Sequence, residues 1–301
     1  MQGAFRRFLY SRKLAPYVFV LPFMLVFAVF WIYPLGSGIW MSFHNISFTN
    51  SGFVGLANYE KLLRDKFFIN ALKNSLEYMI LSIALLIPFP LGYAVLMDSR
   101  LTRNKNLWKA VMYIPALTSV VIAGMLFRLM FSELEGSQMN RIMALFGQGP
   151  VKWLTNRNTA WFALLTLCCW RWTGVNMLYF LAGLKSIDDS LYEAAKIDGA
   201  SAWQEFVHIK LPLLKPTTVY VLTISVYAGL AMFLESYMLW NGNSSPRDIG
   251  LTIVGYLYKR GIEQNDLGYA SVVGVVLMAI ALTINVIQLT LTGTFKKERN
   301  A

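Results

Sequence analysis

Ser190-Leu191-Tyr192-Glu193-Ala194-Ala195-Lys196-Ile197-Asp198-Gly199-Ala200-Ser201-Ala202-Trp203-Gln204-Glu205-Phe206-Val207-His208-Ile209-Lys210-Leu211-Pro212-Leu213-Leu214-Lys215-Pro216 is a polar, punctuated stretch set between two long apolar runs. Ser190 precedes Glu193 by three residues and Ser201 precedes Gln204 by three, the spacing of a reciprocal helix N-cap. Gly199 stands between them, where a residue with positive φ closes one helix before the next begins. Pro212 ends the second helix or starts the following segment. The stretch therefore encodes two short helices joined by a tight turn. Leu191, Ala194 and Ala195 line one side of the first, and Trp203, Phe206 and Val207 one side of the second. A loop in water has little reason to be so ordered and so apolar. A partner groove supplies the reason, because groove-docked helices present anchors at helical spacing.

The runs on either side belong to a membrane protein. The 301 residues are 56% hydrophobic and only 14% charged, with mean hydropathy +0.49, whereas soluble domains carry about 25% charge. Runs of ~20 apolar residues are long enough to cross a bilayer. Six are present: 14–43, 71–97, 107–131, 160–184, 217–240 and 268–293. The expected class is an all-α membrane protein with a cytoplasmic tail over 1–13, a six-helix domain over 14–294 containing a cytoplasmic loop at 188–216, and a second tail over 295–301. The first run follows a basic start but continues far past a signal-peptide core, so it reads as a retained span. The connections 44–70, 132–159 and 241–267 hold short helices at most. Prolines 16, 22, 34, 88, 90 and 115 fall within the first three spans, where they remove backbone hydrogen bonds and kink helices. Such kinks either line a cavity or simply distort packing. Trp31, Tyr33, Trp40, Trp108, Tyr113, Trp153, Trp161 and Trp240 near the span ends form the interfacial belt.

A net charge of +11 suggests nucleic acid until its placement is followed. With the N-terminus inside, 15 Lys and Arg face the cytoplasm (positions 6, 7, 12, 13, 100, 103, 105, 109, 185, 196, 210, 215, 296, 297 and 299). Ten face outward, at 61, 64, 66, 73, 141, 152, 157, 247, 259 and 260. That bias places both termini inside and makes anionic lipid, not nucleic acid, the neighbour of the excess charge. Cys168 and Cys169 are adjacent within a span and read as small packing residues. His44 and His208 are far apart, so no metal-site spacing appears. No Gly-x-x-x-x-Gly-Lys-Ser/Thr sequence is present to cradle a nucleotide.

Ionisable residues inside spans are costly and mark function. Four stand out: Glu77, Arg128, Arg171 and Glu235. Saccharide sites pair aromatic faces with oriented polar groups. The fourth and fifth spans supply both in Arg171, Trp172, Asn176, Tyr179, Ser225, Tyr227, Glu235 and Tyr237, the candidate substrate pathway. Arg171 and Glu235 alternatively form an internal ion pair, and Trp172 and Tyr237 alternatively pack or sit in the belt.

The loop resembles the Glu-Ala-Ala loop of ABC importer permeases, through Glu193-Ala194-Ala195, Gly199, Ile209, Leu211 and Pro212 at that motif's spacing. The resemblance extends over nearly the whole chain, toward the carbohydrate-uptake branch and its maltose and glycerol-phosphate A-type permease subunits. It is carried by Tyr33-Pro34, Val54-Gly55-Leu56-Ala57-Asn58-Tyr59, Ala71-Leu72-Lys73-Asn74-Ser75, Tyr113-Ile114-Pro115, Trp170 to Leu178 and Leu267-Gly268-Tyr269-Ala270. It departs at 241–248, where many relatives carry Gly-Gly-Pro and this chain reads Asn-Gly-Asn-Ser-Ser-Pro-Arg-Asp.

What the resemblance implies is a type I ABC importer permease, a multi-pass subunit of a bacterial cell membrane with no catalytic residues and no cofactor of its own. ATP and Mg act at two partner ATP-binding subunits. A second homologous permease, an extracytoplasmic solute-binding protein and a carbohydrate substrate complete the expected assembly. Glu193, Ala194, Ala195, Asp198, Gly199, Ile209, Leu211 and Pro212 are the implied ATPase-coupling residues, with Glu193 either capping only or also touching the ATPase, and Asp198 capping or pairing. Competing readings are a permease for a non-sugar solute, a stand-alone secondary transporter, which lacks visible inverted repeats, and an intramembrane enzyme, which lacks a nucleophile–base constellation.

Overall fold

The computed structural model describes residues 15–47, 51–99 and 102–293. The basic residues at 6, 7, 12, 13, 100, 296, 297 and 299 and the two expected tails lie outside the described residues. Contacts group the chain into two compact units, one within Met1–Arg64 and Arg260–Val276, the other within Asp65–Lys259 and Leu277–Ala301.

In the first unit, α1 (Ala15–Ser42) is a 28-residue apolar helix. Of its side chains only Ser42 is buried. It leads into a hairpin of β1 (His44–Ile46) and β2 (Ser51–Phe53), paired antiparallel with His44 opposite Phe53, and then α2 (Ala57–Leu63). The Val54–Tyr59 motif works locally. Asn58 donates to the His44 carbonyl at 3.1 Å, and the Tyr59 and Ser42 hydroxyls bond at 2.7 Å. Gly268 is required by close approach, since a Cβ there would stand 2.1 Å from the His44 carbonyl oxygen. Lys61 pairs with Asp266 at 3.8 Å and lies over the Tyr269 ring.

The second unit begins where Asp65 caps α3 (Lys66–Leu86), accepting from the Phe67 and Phe68 amides. Phe68, Ala71, Ser75, Tyr78, Met79, Ser82 and Leu86 recur at three- and four-residue spacing and form its buried face. After Ile87 the chain continues as α4 (Pro88–Asp98). The third apolar run is not one straight span. It breaks by 94° between α5 (Lys105–Leu117) and α6 (Val120–Met130). Pro115 sits in the last turn of α5, and Thr118 and Ser119 are extended. The 131–157 connection carries α7 (Gln138–Leu145). It is organised by buried Asn140, which donates to the Leu134 carbonyl and accepts from the Val151 amide and the Trp153 indole.

The central helix is α8 (Arg157–Lys185), 29 residues long. It packs against α3, α4 and α5. The 188–216 loop follows as α9 (Asp189–Ile197) and α10 (Ala202–Leu213), and a 63° bend leads from α10 into α11 (Lys215–Leu230). The fifth apolar run is likewise interrupted, at Ala231–Phe233, before α12 (Leu234–Trp240). A short helix α13 (Ile253–Tyr258) precedes α14 (Leu267–Leu291).

Close packing in this unit depends on small residues, as in membrane helix pairs generally. A Cβ on Gly174 of α8 would fall 1.9 Å from the Met112 carbonyl oxygen of α5. One on Gly229 of α11 would fall 2.8 Å from the Met79 Cα of α3. Leu277, Ala281 and Ile284 of α14 pack on Met79, Val226 and Leu230.

Among the described residues three helices are long and apolar enough to cross a membrane: Ala15–Ser42, Lys66–Asp98 and Leu267–Leu291. Each bent pair adds one more. The fourth expected span falls on α8, which is long enough but carries Thr166, Arg171, Thr173 and Asn176 through its middle and is not among them.

Candidate functional site

Two places gather the candidate residues, the 188–216 loop and a cavity among α3, α8, α11 and α12. In the loop, the first cap is not the expected one. Asp188, not Ser190, starts α9, its Oδ1 accepting from the Ser190 amide at 2.9 Å. That bond holds the Asp188 carboxyl below the usual range. The aspartate wins because it adds charge at a helix N-terminus to the same bond geometry. Glu193 is exposed and makes no hydrogen bond or ion pair among the described residues. Its capping role alone therefore has no bond behind it.

The turn forms as the sequence implies. Gly199 has φ +74°, its amide donates to the Lys196 carbonyl, and the Ala200 amide donates to the Ala195 carbonyl at 2.9 Å. These two bonds close a Schellman-type end. No atom of the described residues lies within 4 Å of a Cβ built on Gly199, so among them the demand is backbone conformation, not space. Ser201 then caps α10, with Gln204 Oε1 accepting from the Ser201 amide at 2.8 Å. Residues 206–210 form one π-helical turn, closed by the Leu211 amide on the Phe206 carbonyl. Pro212 does not end the helix but sits within its last turn.

Of the coupling candidates, Ala194, Asp198, Leu211 and Pro212 are exposed, and Ala195 and Ile209 half-buried. Sequence reasoning passed over Ile197, which is 87% exposed beside Trp203 at 71%. Its spacing from Leu191 and Ala194 was the available signal. Phe206 is half-buried and packs on the buried cluster that includes Phe180, Leu184 and Leu214.

The cavity encloses about 290 Å³. Its polar lining is Tyr78, Ser82, Asn176, Ser225 and Glu235, with Trp172 as an aromatic face. The structure thus brings together Trp172, Asn176, Ser225 and Glu235. Arg171 is just behind, its Nη1 2.8 Å from Glu235 Oε1 and its guanidinium 5.3 Å from the Trp172 ring centre. Both members of the pair are largely buried. Asn176 has a second task. Its Nδ2 donates to the Leu86 carbonyl at 3.2 Å, the acceptor that Pro90, lacking an N–H, leaves open one turn later.

The other candidates lie elsewhere. Tyr179 meets Tyr220 edge-on, Tyr237 packs with Phe233 and Tyr258, and Tyr227 is exposed. Of the four ionisable residues only Glu235 lines the cavity. Glu77 is held by Arg157 at 2.5 Å, and Arg128 is exposed in the last turn of α6. Cys168 and Cys169 are free thiols, and no group of ligands able to hold a metal occurs among the described residues.

A helical membrane chain with a structured, exposed helix–turn–helix loop and a polar cavity between its helices has the form of a transporter's permease. Residues 89–295 match the family described as binding-protein-dependent transport system inner membrane component, and the chain belongs to that family. It is 48% identical over 297 residues to the arabinooligosaccharides transport system permease protein AraP of Bacillus subtilis (strain 168), covering 99% of this chain and 94% of that one. It is 30% identical to the lactose transport system permease protein LacF of Rhizobium radiobacter, over 90% and 92% of the two chains. Its fold is shared, at TM-score 0.83 and 24% identity over 94% of this chain and 96% of the other, with a chain of a bacterial ABC transporter involved in the import of the acidic polysaccharide alginate. The chain is an ABC importer permease subunit and not itself an enzyme.

Proposed function

We propose that this chain forms one half of the translocation pathway of an ATP-driven, binding-protein-dependent importer of a sugar or oligosaccharide. Six spans cross the bacterial inner membrane with both termini cytoplasmic; the three long apolar helices, the broken third and fifth runs and α8 supply them. A second homologous permease forms the other half. One of two ATP-binding subunits, where ATP and Mg act, sits against the 188–216 loop, and an extracytoplasmic solute-binding protein delivers the saccharide from the opposite side.

The observation that carries this reading is the loop. Two capped helices joined at Gly199 hold Glu193, Ile197 and Trp203 away from the chain, an arrangement that buries nothing until a groove receives it. Closure of the ATP-binding subunits then displaces the loop, and α11, which follows it through one bend, carries the displacement to the cavity. There Trp172 stacks on a sugar face. Ser225, Tyr78 and Glu235 exchange hydrogen bonds with its hydroxyls, while Arg171 holds the Glu235 carboxylate in place. The 48% identity to a permease named for arabinooligosaccharides favours pentose oligosaccharides as the cargo.

The test is co-purification with the ATP-binding subunits and arabinotriose-stimulated ATP hydrolysis, comparing the native chain with a Glu193→Ala, Gly199→Asp double variant. Loss of the ATP-binding subunits or of stimulated hydrolysis, with the permease still monodisperse in detergent, is expected. Unchanged assembly and stimulation reject the coupling role of the loop.

A further inference from the structure

No residue of α9 or α10 is fully buried, yet the two must hold a fixed relation if the loop is to transmit force. The charged side chain that joins them is outside the Glu-Ala-Ala pattern. Lys210 Nζ is 2.9 Å from Glu205 Oε1 and 4.0 Å from Asp98 Oδ2, and it lies 5.2 Å from the centre of the Tyr192 ring. One ammonium thus touches α9 through Tyr192, α10 through Glu205 and the C-terminal end of α4 through Asp98. Only 14% of its side chain is exposed, and Glu205 is almost as sheltered.

The π turn is what permits the junction. In an α-helix, residues five apart lie about 140° apart around the axis. Across the wider turn at 206–210 the backbone closes i to i+5, so Glu205 and Lys210 come to one side. Among the described residues the Tyr192 hydroxyl is buried without a hydrogen-bond partner, and the ring engages the ammonium through its face, an attraction that grows with desolvation. Lys105, the nearby cation from α5, donates to the Asp98 carbonyl and leaves the carboxylate to Lys210.

We propose that Lys210 is a positioning residue for coupling: it locks the two loop helices to each other and to the end of α4, so that displacement at the loop reaches the second span as well as the fifth. This rests on the coupling reading of the loop. A loop free to flex at Gly199 would absorb the displacement; a loop pinned at Asp98, Tyr192 and Glu205 passes it on.

The experiment uses the assembled importer, with both permeases and the ATP-binding subunits in nanodiscs, and the binding protein loaded with arabinotriose. The readout is the ratio of stimulated to basal ATP hydrolysis. Lys210→Met is expected to keep the ATP-binding subunits and the basal rate while the ratio falls about tenfold, within the ordinary range of an inter-site coupling. Lys210→Arg, which preserves the charge, is expected to retain most of the ratio. Asp98→Asn is expected to lower it part-way, and adding it to Lys210→Met to lower it no further, as for two members of one path. If Lys210→Met does not fold, the Asp98→Asn variant, which leaves the Lys210–Glu205 pair intact, decides. A native ratio in Lys210→Met, or in Asp98→Asn where that variant decides, overturns the proposal. So does loss of the ATP-binding subunits from Lys210→Met and Lys210→Arg alike, which would make Lys210 a docking contact. Failure of the underlying reading is separate: it shows as a native ratio in Glu193→Ala, Gly199→Asp, whatever Lys210 does.

Discussion

The Arg171–Glu235 pair joins positions 64 residues apart inside the bundle. Removing one partner of a buried pair strands a charge, at a cost of about 3–5 kcal/mol. Arg171→Leu is therefore expected to lower detergent stability by about that much, and adding Glu235→Leu to recover most of it. Thermal unfolding of Arg171→Leu, Glu235→Leu and the double variant checks this, and a double-variant loss equal to the sum of the two single losses would mean the charges are not coupled. Tyr192 supports a second prediction. Burial, with Asp98, Glu205 and Asp189 near it, pushes its hydroxyl up to about 12. The folded state keeps the proton that the unfolded chain releases near the ordinary value of about 10. The contribution is thus intact below pH 10 and is lost as pH rises from 10 through 12. The tyrosinate absorbance of native protein minus Tyr192→Phe is expected to show a titration near 12. A difference centred near 10 would mean an unburied ring. Of these contacts the sequence offered the Arg171–Glu235 pair as one of two alternatives, and around Tyr192 it displayed only the residue types. Glu77 was legible as an intramembrane carboxylate, but Arg157, 80 residues on, was invisible as its partner because nothing local links them.

At the scale of elements, glycines sort by what surrounds them. Gly174 faces the Met112 backbone at a distance no side chain can share. Gly174→Ala must push α5 from α8, an overpacking cost of about 3 kcal/mol, and is expected to reduce folded yield sharply on size exclusion. Gly199 faces open space at positive φ, so Gly199→Ala costs only the left-handed conformation, about 1 kcal/mol. That variant is expected to express and fold near normally, and equal yields for the two would contradict the packing account. The turn at Gly199 and the Ser201–Gln204 cap were legible because both are set by residues within four positions of each other. The start of α9 was misread because Asp188 and Ser190 are both good caps two residues apart, and propensity alone does not rank them. The break after Pro115 was foreshadowed by the proline, but its 94° angle was not. How far a chain turns at extended Thr118 and Ser119 depends on what α6 then packs against, here α12.

For the whole molecule, the charge bias makes the orientation testable. In a background with Cys168→Ser and Cys169→Ser, an impermeant maleimide is expected to label Gln148→Cys in intact spheroplasts, and Ser190→Cys only after permeabilisation. The reverse pattern would invert the proposed topology.

Composition and apolar run length established a helical membrane protein, and the 190–216 motif established its kind, because both depend on residues close in the chain and on the cost of exposing peptide groups to lipid. Tertiary structure alone decided which polar residues meet. It set Glu235, Trp172, Asn176 and Ser225 around one cavity and left Tyr179, Tyr227 and Tyr237 outside it. It bent the third run into two helices, and it brought Asp98, Tyr192 and Glu205 to Lys210. Those outcomes follow from helix rotation and approach, which are set by packing between segments tens of residues apart.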